Sequence, residues 1–140
     1  MIFGKLNLDE LDKSPIIEFG GPKVGTSAGP VKVVSLINVP EAWAGLEDFL
    51  PGTEMHWTYH YNEVQLVLEG KAEITYTLAA DGNQKVFKAV AEKDDTYLLP
   101  CGARATFKVI SKEPFRHYFV IMPRYYYEKW QRDAVKEKGS

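Results

Sequence analysis

From Glu54 to Tyr61 the chain alternates polar with bulky apolar side chains: Glu54, His56, Thr58 and His60 interleave with Met55, Trp57, Tyr59 and Tyr61. A period of two suits a strand and not a helix, so one face carries groups able to bind metal and the other carries large apolar groups. A second apolar run, Val64 to Leu68, follows Asn62 and Glu63, and a third, Lys71 to Leu78, follows Gly70 directly. The pattern predicts that the His/Glu/Thr face lines a pocket, with Glu63 pointing into it ahead of a wholly apolar run.

The flanking sequence extends the same alternation. Leu6, Leu8 and Leu11 among charges predict a short helical turn or edge segment within residues 1–14, and Pro15 to Phe19 predicts a short strand. Residues 20–30 hold too many Gly and Pro for regular structure and read as a loop that lets the N-terminal arm reach across its own sheet or a partner's. Val31 to Val39 reads as a strand, Pro40 to Gly45 as an interruption, and Leu46 to Leu50 as a short strand or turn. Downstream, Ala72, Ile74 and Tyr76 alternate with Lys71, Glu73 and Thr75. Asp81-Gly82-Asn83 supplies a hairpin turn, because Gly and Asn tolerate positive φ, and Val86 to Ala91 returns. Thr96–Leu99, Ala105–Ile110 and Arg116–Met122 complete the strands, with a corner at Pro100-Cys101-Gly102. After Pro123, Tyr125, Tyr126, Tyr127 and Trp130 sit among charges and predict a C-terminal helix. Many short strands with one terminal helix predict an all-β antiparallel sandwich or small barrel. Its divisions are an arm and loop over 1–30, the β domain over 31–122 and the helix over 123–140.

Composition narrows the function. At 140 residues the chain fits one domain with a real core, and its aromatic share of 13% is generous. A formal charge of −2 leaves no basic footprint for nucleic acid. The single Cys101 excludes an intrachain disulfide framework and a Cys-rich zinc site. No apolar run approaches the ~18–20 residues that cross a bilayer, and no charged-then-apolar segment opens the chain, so the expectation is a cytoplasmic domain.

Glu63, six residues and Gly70, in the context EVQLVLEG, resemble the second half of the first cupin motif, and Asp95-x4-Pro100-x-Gly102 resembles the start of the second. The resemblance covers roughly residues 31–122 and implies a cupin-type jelly-roll barrel. It also implies a divalent metal (Fe, Mn, Ni or Zn) held by two His and a Glu of the first motif and a His of the second. The usual spacing puts the two His at Trp57 and Tyr59, a longer variant puts them at His56 and Thr58, and the second-motif His falls on Ala105. Candidate ligands in this chain are His56, His60, Glu63 and His117. Side chains four residues apart on a straight strand stand roughly 13 Å apart, so His56 and His60 share one metal only if the strand bends. A two-residue hairpin loop at Tyr61-Asn62 would set His60 opposite Glu63 and Thr58 opposite Gln65. A longer loop would make His56 the ligand beside Glu63.

His56, His60 and Glu63 are the candidate catalytic residues, and Trp57, Thr58, Tyr59, Gln65 and Arg104 the candidate substrate-binding ones. Buried without a cation, Glu63 would have a raised pKa and could serve as general acid or base. Two functions follow. One is a metal-dependent small-molecule cupin enzyme (dioxygenase, or lyase, isomerase or cyclase) acting on a compact, aromatic or hydroxylated substrate. The other is a metal-free, non-catalytic cupin that binds a small ligand. The expected partners are a small molecule and a second copy, as a homodimer exchanging the arm that carries Ile16, Ile17 and Phe19; neither nucleic acid nor membrane is expected.

Overall fold

The computed structural model describes residues 1–21, 26–78 and 85–124. Its elements are α1 (Leu8–Lys13), β1 (Ile17–Gly21), β2 (Thr26–Val39), β3 (Ala42–Phe49), β4 (Glu54–Thr58), β5 (Asn62–Glu69), β6 (Lys71–Thr77), β7 (Val86–Glu92), β8 (Thr96–Leu99), β9 (Arg104–Val109) and β10 (Phe115–Met122). The strands pair antiparallel in the order β7-β6-β9-β4-β2-β3-β10-β5-β8, with β1 alongside β2. Two layers result, β7-β6-β9-β4 and β2-β3-β10-β5-β8, bridged where Ser27 pairs with His56. The ends β7 and β8 are not neighbours in that order, so the jelly roll is not closed into a barrel.

Side-chain alternation decides what fills the space between the layers. Met55 and Trp57 of β4 sit opposite Phe107 and Ala105 of β9 and are buried with them. From the other layer come Val31, Phe49, Val67, Phe115, Phe119 and Ile121, all in the same buried cluster. Aromatic edges meet faces there: Phe49 stands edge-on to Phe107 at 5.4 Å and Trp43 edge-on to Phe119 at 5.1 Å.

Two sequence expectations are corrected. The loop expected over residues 20–30 is regular strand from Thr26 onward, paired with β1, so β2 runs through residues 30 and 31 without a break. The interruption expected over Pro40–Gly45 is confined to its first residues, since β3 begins at Ala42 and is flanked by β2 and β10. Neighbours on both sides supply a full hydrogen-bond ladder, and that context overrides the low strand propensity of Ala and Gly. The turn expected at Asp81–Asn83 and the helix expected over 123–140, from Tyr125 on, lie outside the described residues. Among the described residues no helix is long and apolar enough to cross a membrane.

The corner after β5 depends on Gly70. Its φ is +83°, and a Cβ there would stand 2.2 Å from the carbonyl oxygen of Pro114, so the motif glycine permits both the left-handed turn and the close approach.

The arm is fastened to its own chain. Asn7 caps α1 by accepting from the Asp9 backbone N–H at 3.0 Å, and Leu11 is fully buried where α1 meets β2 and β3. Beside it Arg116 donates through Nε and Nη2 to both oxygens of Asp48, each at 2.9 Å, and through Nη2 to Asp12 at 2.5 Å. The hydrogen bonds to Asp48 raise the Arg116 pKa above its ordinary value. Asp48 is 2% exposed and the Asp12 side chain 57%, so the two carboxylates are unequal. Replacing Asp48 by Ala leaves the buried guanidinium with Asp12 alone and is expected to cost about 3 kcal/mol, whereas Asp12→Ala should cost about 1 kcal/mol or less. Urea unfolding midpoints of the two variants check this ordering.

Candidate functional site

The burial phase set by the β4 rings continues past the end of that strand. Tyr59, Tyr61, Glu63, Gln65 and Val67 are all buried, as one unbroken set of alternate positions. Between β4 and β5 the chain crosses from one layer to the other and does not form a hairpin: β4 pairs with β9 and β2, and β5 with β10 and β8. The crossing is tied to the Pro100–Gly102 corner. The Tyr59 N–H donates to Ala103 O at 2.8 Å, the Gly102 N–H to Tyr59 O at 2.6 Å, and the Cys101 N–H to Asn62 Oδ1 at 2.9 Å. Glu63 thus enters the interior, where β3 brings Glu47, β10 brings His117 and β8 brings Tyr97.

A cavity of about 30 Å3 beside Glu63 is lined by Trp43, Glu47, Trp57, Tyr59, Tyr61 and Glu63 itself, with Phe119 and Ile121 on its wall. That is space for roughly one or two water-sized groups. Glu63 is 6% exposed and accepts a short hydrogen bond from the Gln65 amide, whose oxygen accepts from the Tyr97 hydroxyl at 2.5 Å. Burial, then the nearby charge of Glu47, pushes the Glu63 pKa up to about 8, against a smaller lowering by the Gln65 hydrogen bond. At neutral pH Glu63 is therefore mostly an uncharged carboxylic acid. Burial and the charge of Glu63 also raise Tyr59 and Tyr97 well above the ordinary phenol range.

On β10 His117 is fully buried, with Nε2 3.0 Å from Glu47 Oε1 and Nδ1 3.3 Å from the Phe115 carbonyl. The direction of the contact between Nε2 and Glu47 follows the histidine tautomer. The Trp57 indole donates to the Tyr61 hydroxyl at 2.7 Å.

The candidate residues divide between two surfaces. Trp57, Tyr59, Glu63, Gln65 and His117 point inward, while His56, Thr58, His60 and Arg104 do not line the cavity. His56 is exposed, 3.1 Å from Thr106 Oγ1 and 3.4 Å from Glu54, and Thr58 pairs with Arg104 on the same outer face. His60 is exposed, and its partial burial lowers its pKa. The structure does not bring His56, His60, Glu63 and His117 together. The reason is burial energy: turning Met55, Trp57, Tyr59 and Tyr61 inward removes far more apolar area from water than turning His56, Thr58 and His60 inward would.

A divalent metal at the cupin position fits these residues poorly. The positions of the motif's three His carry Trp57, Tyr59 and Ala105; an indole and a methyl group offer no lone pair, and the phenol of Tyr59 is held protonated by burial. Among the described residues no three His, Cys, Asp or Glu side chains are grouped to hold one ion. Three residues of the site escape sequence reading: Glu47, Trp43 and Tyr97. Glu47 alternates with Trp43 and Phe49 on one face of β3, a signal hidden when Pro40–Gly45 is read as a break.

A family model described as "Ethanolamine utilisation protein EutQ" matches residues 5–131. Among curated proteins none matches the chain. Among solved structures, the cupin domain of Schizosaccharomyces pombe Cnp3 is similar at 25% identity and a TM-score of 0.56, over 69% of this chain and 63% of that one. The Clostridium difficile EutQ protein is similar at 23% identity and a TM-score of 0.52, over 67% and 63%. The match thus spans less than two thirds of either relative. An oxalate oxidase shares the fold at 16% identity and a TM-score of 0.57, over 73% of this chain and 53% of its own. The fold is the cupin jelly roll, and it recurs in proteins as different as these three.

The raised pKa of Glu63 has a consequence for stability. Between the ordinary carboxyl value of 4.5 and about 8 the folded chain holds a proton that the unfolded chain has lost. Stability therefore falls as pH rises through that window, by at most about 1.4 kcal/mol per unit, and levels off above it. Glu63→Gln should remove this slope, so that the variant gains on the parent with rising pH. Urea unfolding at pH 5, 6.5 and 8 measures it, and parallel pH profiles for the two proteins would contradict the assignment.

Proposed function

The chain belongs to the EutQ family and carries the cupin fold, and from that premise we propose that it binds a compact organic molecule inside the jelly roll without a metal. Glu63 is the group that meets this ligand. One observation carries the reading: a buried carboxylic acid, uncharged at neutral pH, faces a cavity walled by Trp43, Trp57, Tyr59 and Tyr61 at the place where the fold would otherwise hold its metal.

A neutral buried acid can donate a hydrogen bond, accept one, or give up its proton, and all three uses suit a small polar ligand. The Gln65 amide and the Tyr97 hydroxyl fix the orientation of the carboxyl group. The small cavity selects the size of whatever group enters it. A pKa of about 8 also supports a second reading, proton transfer of the isomerase or lyase type, because an acid poised near neutral pH both gives and takes protons readily. The jelly roll itself favours neither reading, since one fold hosts many chemistries.

Compact probes test the binding. Titration of the protein with n-propanol, n-propylamine and propionate, followed by the indole N–H resonances of Trp43 and Trp57, should shift both signals for at least one probe. At a ceiling of about 1.5 kcal/mol per non-hydrogen atom, a four-atom probe binds no tighter than roughly 50 μM, so millimolar dissociation constants are expected. Glu63→Gln should weaken the response by roughly tenfold or more. Shifts confined to the outer face around His56, or no shift with any probe, would overturn the reading.

A further inference from the structure

We propose that the outer face of β4, β9 and β6 holds a tetrahedral oxyanion of the phosphate type, with Arg104 as its cation and the hydroxyls of Thr58 and Thr77 as flanking donors. This site is separate from the interior one and uses side chains that the burial phase of β4 and β9 turns outward.

Strand register assembles it. β9 lies between β4 and β6, so Arg104 stands directly opposite Thr58 on one side and Thr77 on the other. One rank further along, Thr106 stands in the same way between His56 and Thr75. Directly opposite side chains are about 5 Å apart at Cβ and diagonal ones about 7–8 Å, so a small anion on Arg104 meets both flanking hydroxyls and lies within reach of the second rank. All six side chains line one open depression of about 270 Å3 on the outside of the jelly roll. Among the described residues the hydroxyls of Thr58, Thr75 and Thr77 have no hydrogen-bond partner, while Thr106 Oγ1 lies 3.1 Å from His56 Nδ1.

The surrounding charges leave Arg104 without a counter-ion. Lys88 of β7 is 3.2 Å from Glu73, Lys108 of β9 stands in register between Glu54 and Glu73, and Arg116 is held by Asp48 and Asp12. Across from Arg104 the two strands offer only Thr58 and Thr77, with Val86 of β7 beyond, and among the described residues no carboxylate pairs with it. Glu54 and Glu73 lie four residues along their strands from Thr58 and Thr77, roughly 13 Å away, and are already engaged by His56 and Lys88. A guanidinium ringed by hydroxyl groups is a donor surface of positive charge.

The shape of that surface selects the anion. The guanidinium fork matches two oxygens of one acceptor group. A carboxylate fills the fork with both its oxygens and leaves the hydroxyls on either side unused. A tetrahedral anion gives two oxygens to the fork and keeps others for Thr58 and Thr77, and a phosphate ester carries a charge of about −1.5 to −2 at neutral pH. A metal cation would find no carboxylate among the lining residues.

Titration of the full chain with potassium phosphate, ethyl phosphate and potassium acetate at pH 7 and constant ionic strength, followed by the backbone amide resonances of Thr58 and Thr77, reads the site. Phosphate should shift both signals with a dissociation constant on the order of 1–10 mM, and acetate should bind at least about fivefold more weakly. Arg104→Ala should weaken phosphate binding at least about tenfold, and Arg104→Lys, which keeps the charge but not the fork, roughly 3- to 10-fold. Thr58→Val and Thr77→Val, which keep side-chain shape and strand propensity, should each weaken it roughly 2- to 5-fold. Ethyl phosphate as tight as inorganic phosphate assigns the site to the head of an ester, and a weaker ester assigns it to the free anion; both uphold the proposal. Acetate as tight as phosphate, a response unchanged in Arg104→Ala, or shifts spread evenly over Lys71, Lys88 and Lys108 would overturn it and leave the interior reading standing.

Discussion

The structure depends on which face of a single stretch, residues 54–67, looks inward. Four large side chains at alternate positions, Met55, Trp57, Tyr59 and Tyr61, take the interior, and a strand period of two leaves no freedom after that. Glu63 and Gln65 are carried inside by the same phase, and His56 and His60 are carried out. A shift of one residue would bury two imidazoles and a threonine hydroxyl while exposing two tyrosines, a tryptophan and a methionine. At roughly 1.5–3 kcal/mol for each large apolar side chain, no hydrogen-bonding arrangement at His56 or His60 would offset it. The location of the acid follows from the packing of its neighbours.

Much of this was legible in the chain itself. Strand patterning over residues 71–78, 86–91 and 105–110, and the spacing from Glu63 to Gly70 and on to Gly102, were enough to indicate a cupin jelly roll. Glu63 as a buried acid with a raised pKa was also readable, because a carboxyl group ahead of an apolar run has few other places to go. The phase was harder. Period-two alternation shows that the two faces differ but not which one is buried, and metal-capable residues on one face invite the inference that it is the working one. Aromatic bulk, weighed as buried area, gives the better guide. Glu47 was missed for a different reason. Gly45 interrupts the alternation because a Cβ there would stand 2.1 Å from the Val34 carbonyl oxygen and 3.1 Å from the Phe119 ring. A glycine that signals close approach inside a strand looks, in one dimension, like the end of that strand.

The two buried charge systems show how differently the same fold treats carboxylates. Under α1, Asp48 has a bidentate guanidinium partner, and the same guanidinium reaches Asp12 and so ties the arm to β10. Inside the jelly roll Glu47 Oε1 lies 3.0 Å from His117 Nε2, and Glu63 accepts from the Gln65 amide. The first arrangement is complete without any guest. The second sets an acid on the wall of a small cavity, and burial makes its preferred form at neutral pH the uncharged one.

An incomplete polar site inside a packed core has to be weighed against a simpler alternative. Leu or Met at residue 63 would fill the volume, remove the desolvation cost and flatten the dependence of stability on pH. The Gln65–Tyr97 pair that orients the carboxyl group would then itself be left partly unsatisfied, so the acid and its supports form a unit that packing alone does not call for. The rings that replace the fold's metal donors act in the same direction. Trp57 and Tyr59 stand where the cupin motif usually has His, and both line the cavity. Burial thus keeps the Glu63 acid uncharged at neutral pH beside a small cavity walled largely by aromatic rings.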